Sequence, residues 1–252
     1  MAIKVSNSNK TINSKGLHFS ELNQKIRSAV KSGADKLKLV NVNGQRYIGT
    51  GIRKEMHFDV YGTAGADLGA FMDGPNITVH GNAQDAVGNT MNSGLITVDG
   101  HAGDVVGIAM RGGCVYIKGE VGYRAGIHMK EYEDQKPVLV IGGAAHDFLG
   151  EYMAGGVLIV LNYHPKPSPC LANYIGTGMH GGAIYLRGKV EQYQLGKEVS
   201  VVKITENDKK MLNKHLKAFA KTFKLDYNGI ANASFTKLMP LSHRPYGQLY
   251  AY

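Results

Sequence analysis

Ten histidines, two cysteines and aspartates recurring along the chain are the residues that could do chemistry in this 252-residue sequence. Histidine and thiolate at fixed short spacing would hold a metal, but no C-x-x-C or H-E-x-x-H run occurs. His80 precedes its glycine and His101 follows its own, so they do not share a position in the pattern described below. Asp67, Asp85 and Asp104 fall near one region of successive units. Carboxylates do acid–base work only where one has a displaced pKa, and these read as exposed coil residues. Gly100-His101-Ala102-Gly103 has glycines at phosphate-loop-like spacing. No G-K-[ST] follows, and the glycine loops do not alternate with long helices as nucleotide folds require. The sequence therefore leads to no expected catalytic, cofactor-binding or metal-binding residue.

What would position any such residue is a repeat. Gly62, Gly81, Gly100 and Gly119 lie 19 residues apart, and seven residues after each come Gly69, Gly88, Gly107 and Gly126. Three further on stand Met72, Met91, Met110 and Met129. Gly143, Gly150 and Met153 resume the phase, as do Gly176, Met179 and Gly188. Before the anchor glycines run Ile77-Thr78-Val79, Ile96-Thr97-Val98, Val115-Tyr116-Ile117, Leu158-Ile159-Val160 and Ile184-Tyr185-Leu186. Apolar residues two apart share one face of a strand. A 19-residue unit is too short for a helix pair and lacks a 3.6-residue period, so the pattern predicts a parallel β-helix with one unit per coil. The twelve glycines are read as structural, serving coil corners and close backbone approach. The methionines are read as core filling. Cys114 shares a column with Asn76, Leu95, Val157 and Ala183, which suggests a packed thiol.

The pattern resembles the GXGXG domain, the right-handed β-helix that ends the large subunit of glutamate synthase. Gly65-Ala66-Asp67-Leu68-Gly69-Ala70-Phe71, Gly81-Asn82-Ala83-Gln84-Asp85-Ala86-Val87-Gly88 and the lead-in Gln45-Arg46-Tyr47-Ile48-Gly49-Thr50-Gly51 carry the resemblance, which covers about 125 residues. It implies a mainly β chain: a right-handed parallel β-helix with small α/β caps at both ends. In that enzyme the domain is a non-catalytic spacer between amidotransferase and FMN-binding synthase domains. The sequence opens Met1-Ala2 rather than with an amidotransferase's cysteine nucleophile, and two cysteines are too few for the synthase domain's iron–sulfur cluster. The resemblance thus implies a structural subunit of a multi-subunit glutamate synthase-like enzyme. FMN and the iron–sulfur cluster would sit in a partner, and the partners would be a class II glutamine amidotransferase subunit and an FMN-dependent synthase subunit. The same β-helix family includes a component of the formylmethanofuran dehydrogenase complex, which is one alternative. A free-standing β-helix binding protein or enzyme is the other.

The remaining chain divides into residues 1–57, 58–190 and 191–252. Ser20 is expected to cap a helix to about Lys31, striped by Leu22, Ile26 and Val30 and ended by Gly33. Asn43-Gly44 between two apolar runs predicts a type I′ β-hairpin, which with the helix would cover the first coil. The repeat is interrupted at Lys130–Lys136 and at Tyr163–Pro169; such insertions read equally as a binding surface on one face of the solenoid or as plain surface loops. Asn162 stands where a glycine is expected. Val199–Val202 reads as a strand, and Thr205 with Asp208 as the cap of a helix over 206–223. Leu212, Leu216, Phe219 and Phe223 are its buried stripe, and the helix is expected to close the far end of the coil. The aromatic stretch from Phe235 to Tyr252 is expected to bury against the β-helix or a partner. The net charge of +9 gathers in the flanking segments without any nucleic-acid motif. It reads as a solvated face or as docking to acidic subunits, with no nucleic acid bound. No apolar run reaches a membrane span and no signal peptide is visible, so a cytoplasmic protein is expected.

Overall fold

The computed structural model describes residues 9–163 and 170–242. Its chain order is β1 (Asn9–Asn13), α1 (Phe19–Lys31), β2 (Lys36–Asn43), β3 (His57–Thr63), β4 (Asn76–His80), β5 (Leu95–Val98), β6 (Cys114–Ile117), β7 (Val138–Ile141), β8 (Ala154–Val160), β9 (Gly181–Arg187), β10 (Val199–Val202), α2 (Glu206–Phe223), α3 (Tyr227–Ala231) and β11 (Phe235–Pro240). All the strands belong to one 11-stranded sheet in the order β1-β2-β3-β4-β5-β6-β7-β8-β9-β11-β10. From β1 to β9 every pairing is parallel and joins neighbours in sequence. A parallel return between adjacent strands needs a crossover. Here the rest of each repeat supplies it, and the chain winds as a β-solenoid.

The register puts like residues on like. Phe58, Ile77, Ile96, Val115, Leu139, Leu158 and Ile184 form one column, and Val60, Val79, Val98, Ile117, Ile141, Val160 and Leu186 the next. Both columns are buried in one continuous core. Met72, Met91, Met110, Met129, Met153 and Met179 are fully buried in the same core, as expected of gap-fillers.

The ends differ from expectation. There is no hairpin at Asn43-Gly44. Gly44 has φ +77°, but Asn43 does not share the positive φ that a type I′ turn requires. Both edges of β2 are already occupied, by β1 and β3 in parallel. The chain after β2 instead stacks under the next coil through Gly44 N–H to Thr63 O, Tyr47 N–H to Ala66 O and Gly51 N–H to Ala70 O. Residues 36–51 are thus already a coil. Ser20 is not the cap of α1. His18 occupies that place with Glu21 accepting its N–H at 3.0 Å, while the Ser20 hydroxyl meets His18 Nδ1 at 2.8 Å. Leu22, Ile26 and Ala29 bury α1 against the first coil.

At the other end Thr205 does cap α2, accepting from Asp208 N–H while the Asp208 carboxylate accepts from Thr205 N–H. The helix does not close the coil end. It lies on the outer face of the sheet, where Leu212, Leu216, Phe219 and Phe223 pack with Tyr116, Val138, Val140, Ile159, Leu161 and Tyr185. Those strands are apolar on both faces, so their outer face must be covered. The coil end is closed by β11, antiparallel on β9 and followed by β10. Of the aromatic C-terminal stretch, Phe235–Pro240 is this strand; Tyr246, Tyr250 and Tyr252 lie outside the described residues. So does most of the Tyr163–Pro169 insertion, whereas the Lys130–Lys136 insertion forms a tight turn closed by reciprocal hydrogen bonds between Tyr132 and Gln135.

Candidate functional site

The coil surface is built from ladders, and the glycines decide where they run. Gly69, Gly88, Gly107, Gly126, Gly150 and Gly176 have φ between +67° and +77°. Each opens a turn in which its carbonyl accepts the N–H of the methionine three residues later, at 2.9–3.2 Å. This is the physical content of the G-x-x-M spacing. The anchor glycines Gly62, Gly81, Gly100, Gly119 and Gly143 sit where neighbouring coils touch. A side chain at Gly62 would land on the Val42 carbonyl, and one at Gly81 on the Gly62 carbonyl. At Gly100 it would meet the Asn82 amide, at Gly119 the Gly100 carbonyl, and at Gly143 the Glu120 side chain. Gly188 differs: it has φ +93° and nothing within 4 Å of an added Cβ.

The polar residues between these glycines clasp coil to coil. Asp85 Oδ1 accepts from Asp104 N–H at 2.9 Å, and Asp104 Oδ1 from Tyr123 N–H at 2.8 Å. Asp147 Oδ1 accepts from Asn173 N–H at 2.8 Å. Asp67 stands one place further along, in the left-handed conformation at φ +59°, and its carboxylate takes the Asn89 side-chain amide. The sequence grouped Asp67 with Asp85 and Asp104; only the latter two share a ladder. A parallel ladder runs from Asn82, which accepts from His101 N–H, to His101 Nδ1, which accepts from Glu120 N–H at 3.1 Å. Each clasp satisfies a backbone donor that the solenoid would otherwise leave to solvent. His80 belongs to neither ladder, as its spacing indicates. It lies on the outer sheet face, stacked on Tyr61 at 4.4 Å and facing Asp99 and Asp59 at 3.2 and 3.4 Å. Burial alone would raise the Asp59 carboxyl, but hydrogen bonds from Lys36 and His80 hold it below its ordinary value.

A second family of ladders is aromatic. Phe148 and Tyr174 stack at 5.0 Å with Arg124 over Phe148 at 4.6 Å, and His128 stacks on Tyr152 at 5.4 Å. Arg124 also meets Glu151 at 3.3 Å. The outward rings of Tyr123 and Tyr174 are half exposed.

Beneath α2 the titratable groups are structural. Asp208 accepts from Tyr185 Oη at 2.6 Å, from Lys237 Nζ at 2.9 Å on both oxygens, and from the Thr205 N–H and hydroxyl. Burial opposes its charge, yet these donors hold Asp208 far below the usual carboxylate range. Burial pushes the Tyr185 and Tyr116 phenols and the Cys114 and Cys170 thiols up, and pushes the His215 imidazole down. Cys114 is half-buried under α2, and Cys170 is buried in the coil core. Thiols whose pKa is raised are poor nucleophiles. Among the described residues no group of three or more His, Cys, Asp or Glu is placed to hold a metal ion. Nor is any helix among them long and apolar enough to cross a membrane.

The ladders are what the coils present, and the class of protein they define is a glycine-cornered β-solenoid. The sequence matches the GXGXG motif family over residues 20–240, and the chain belongs to that family. It is 48% identical over 248 residues to an uncharacterized protein of Methanocaldococcus jannaschii, the match covering 95% of each chain.

Proposed function

We propose that this chain is a non-catalytic structural subunit of a multi-subunit glutamate synthase-like enzyme in the cytoplasm. It positions a class II glutamine amidotransferase subunit and an FMN-dependent synthase subunit, which holds the FMN and iron–sulfur cluster. The whole assembly moves ammonia from glutamine to an acceptor such as 2-oxoglutarate. One observation carries the non-catalytic part: Asn82, Asp85, His101, Asp104 and Asp147 are spent as coil-to-coil acceptors of backbone N–H groups. The groups most displaced in pKa lie in the packing under α2 rather than in a cleft. Membership of the GXGXG family supports the glutamate synthase-like part. A rigid stack of coils holds two partners at fixed separation, and fixed geometry is what a channelled ammonia transfer asks of a scaffold.

The test is reconstitution. The purified chain is expected to release no ammonia from glutamine. Mixed with the two partner subunits of its organism, it is expected to co-elute with them and to raise glutamine-dependent glutamate formation. Ammonia release by the chain alone, or failure to join either subunit, would overturn the reading.

A further inference from the structure

The outward face of α2 carries a row of cations that the rest of the chain does not neutralise. Lys210, Lys214, Lys217 and Lys221 follow one another along α2 at spacings of four, three and four residues, Lys224 follows as its left-handed C-cap at φ +54°, and all five are exposed. At about 100° per residue the four helical lysines fall within an arc of roughly 60°, and they span about 17 Å of helix. Their arc is opposite Leu212, Phe219 and Phe223, which face the sheet, so the lysines form the outermost ridge of this side of the molecule. The helix contains only two acidic residues, Glu206 and Asp208. Glu206 pairs with Lys209, and Asp208 is buried against Lys237. None of the five lysines has an ion-pair partner among the described residues. Segments 1–8, 164–169 and 243–252 contain no Asp or Glu, so they offer no acidic side chain either.

Such a row is unfavourable for a free helix. Like charges three and four residues apart repel, and ordinary exposed helices intersperse both signs. We propose that this ridge docks on a complementary acidic surface of a partner subunit, a helix face bearing a row of carboxylates at about 5–6 Å pitch. The inference rests on the scaffold reading above and names one of the surfaces through which the scaffold would act. The composition favours protein over nucleic acid. Single-strand binders combine a basic groove with free aromatic rings on which bases stack. This ridge is convex and holds lysine without arginine. Its nearby aromatic ring, Tyr227, lies under Lys217 at 5.6 Å with its hydroxyl donated to Asn213.

The test uses the full chain and a charge-reversed variant, Lys210→Glu/Lys214→Glu/Lys217→Glu/Lys221→Glu, with a four-glutamine variant as intermediate. Binding to the purified amidotransferase and FMN-dependent synthase subunits is measured at about 50 and 300 mM KCl, where screening differs strongly. Binding to a 20-nucleotide single-stranded RNA is measured beside it. The expected result is wild-type binding to one subunit that weakens steeply with salt. Charge reversal should lower that affinity at least about a hundredfold, with the glutamine variant in between. The glutamine variant should keep the wild-type melting temperature or exceed it, because it removes the repulsion between neighbouring lysines, and the reversed variant, whose glutamates face solvent and repel one another in their turn, should stay close to it. Equal binding by wild type and reversed variant would overturn the docking ridge and leave the scaffold standing. Wild-type binding to neither subunit would overturn the scaffold reading, and the ridge's role with it. RNA bound more tightly than either subunit, and lost on reversal, would overturn the acidic partner and assign the ridge to nucleic acid.

Discussion

Replacing Asp208 with asparagine keeps the shape of the side chain and removes its charge. The Lys237 ammonium, which now meets both carboxylate oxygens at 2.9 Å, would face a single neutral oxygen. The two side chains are only 10% and 12% exposed, so water can do little to replace the lost partner. Stranding one member of a buried ion pair costs about 3–5 kcal/mol. The lower end applies here, since the amide oxygen keeps one bond and the Thr205 hydroxyl still accepts the backbone N–H of residue 208. For a chain of this size that is a fall on the order of 10 °C in melting temperature. Circular dichroism reads the global change. Hydrogen exchange along residues 206–223 reports whether α2 detaches before the coils melt, which a solenoid permits because each layer touches only its neighbours. A second variant isolates the cause: Asp208→Asn combined with Lys237→Met removes the stranded cation and should recover at least about 1.5 kcal/mol of the loss. A single-mutant cost below about 1 kcal/mol, or strictly additive losses in the double mutant, would refute the reasoning.

Acid should act through the same pair. Asp208 is held well below its ordinary value of 3.8, so its contribution is present above about pH 4 and fades as pH falls through the lower folded value. Acid titration followed by hydrogen exchange should therefore loosen α2 below about pH 4, and Asp208→Asn should abolish that transition. Two glycines separate backbone strain from collision. Gly188→Ala meets only the cost of positive φ and should lose about 1 kcal/mol. Gly62→Ala also strikes the Val42 carbonyl and should cost well over twice that, or prevent folding, in thermal melts of the two proteins. Phe219→Ala, at the centre of the layer between α2 and the sheet, should cost about 3–5 kcal/mol and expose the Tyr116–Leu161 face to a hydrophobic dye. Loss of stability without dye binding would mean that the helix refills the gap.

The periodic part of the molecule was legible because a repeat reports the same constraint several times. Ile77, Ile96 and Val115 need no individual argument once they share a column, and the G-x-x-M spacing encoded a turn directly. Thr205 with Asp208 was legible because a capping box is local. The first coil was hidden by its deviations. Ile52 stands where methionine recurs later, donating its N–H to the Gly49 carbonyl in the same turn, and β2 begins 21 residues before β3 rather than 19. Asn43-Gly44 also carries a strong local preference for a hairpin, and tertiary pairing overrode it. The site of α2 was recorded in the sequence but at the other parity. Val138, Val140, Ile159 and Leu161 are apolar at positions that face outward, whereas their counterparts Thr78, His80 and Thr97 are polar. Only reading both faces of each strand predicts that half of the outer sheet is roofed. The antiparallel return of β11 had no local signal, because an edge accepts any segment of suitable length and alternation. The same pairing means that truncation at residue 236 would remove a strand of the sheet, so it could not isolate any role of Tyr246, Tyr250 and Tyr252.

The unbroken register of the parallel strands from β3 to β8 makes the coil a unit of length. Each layer adds one strand spacing, about 4.8 Å, along the axis. Loops that protrude from a layer leave that increment untouched, as the Lys130–Lys136 turn does between β6 and β7, which still pair residue for residue. Distance along this molecule is therefore set in whole steps. Surfaces carried by α1 and α2 can be moved apart or together by inserting or deleting one 19-residue block, without redesigning either surface. Evolution of such a solenoid proceeds like the choice of a gauge block, by discrete lengths with tolerance supplied at the corners.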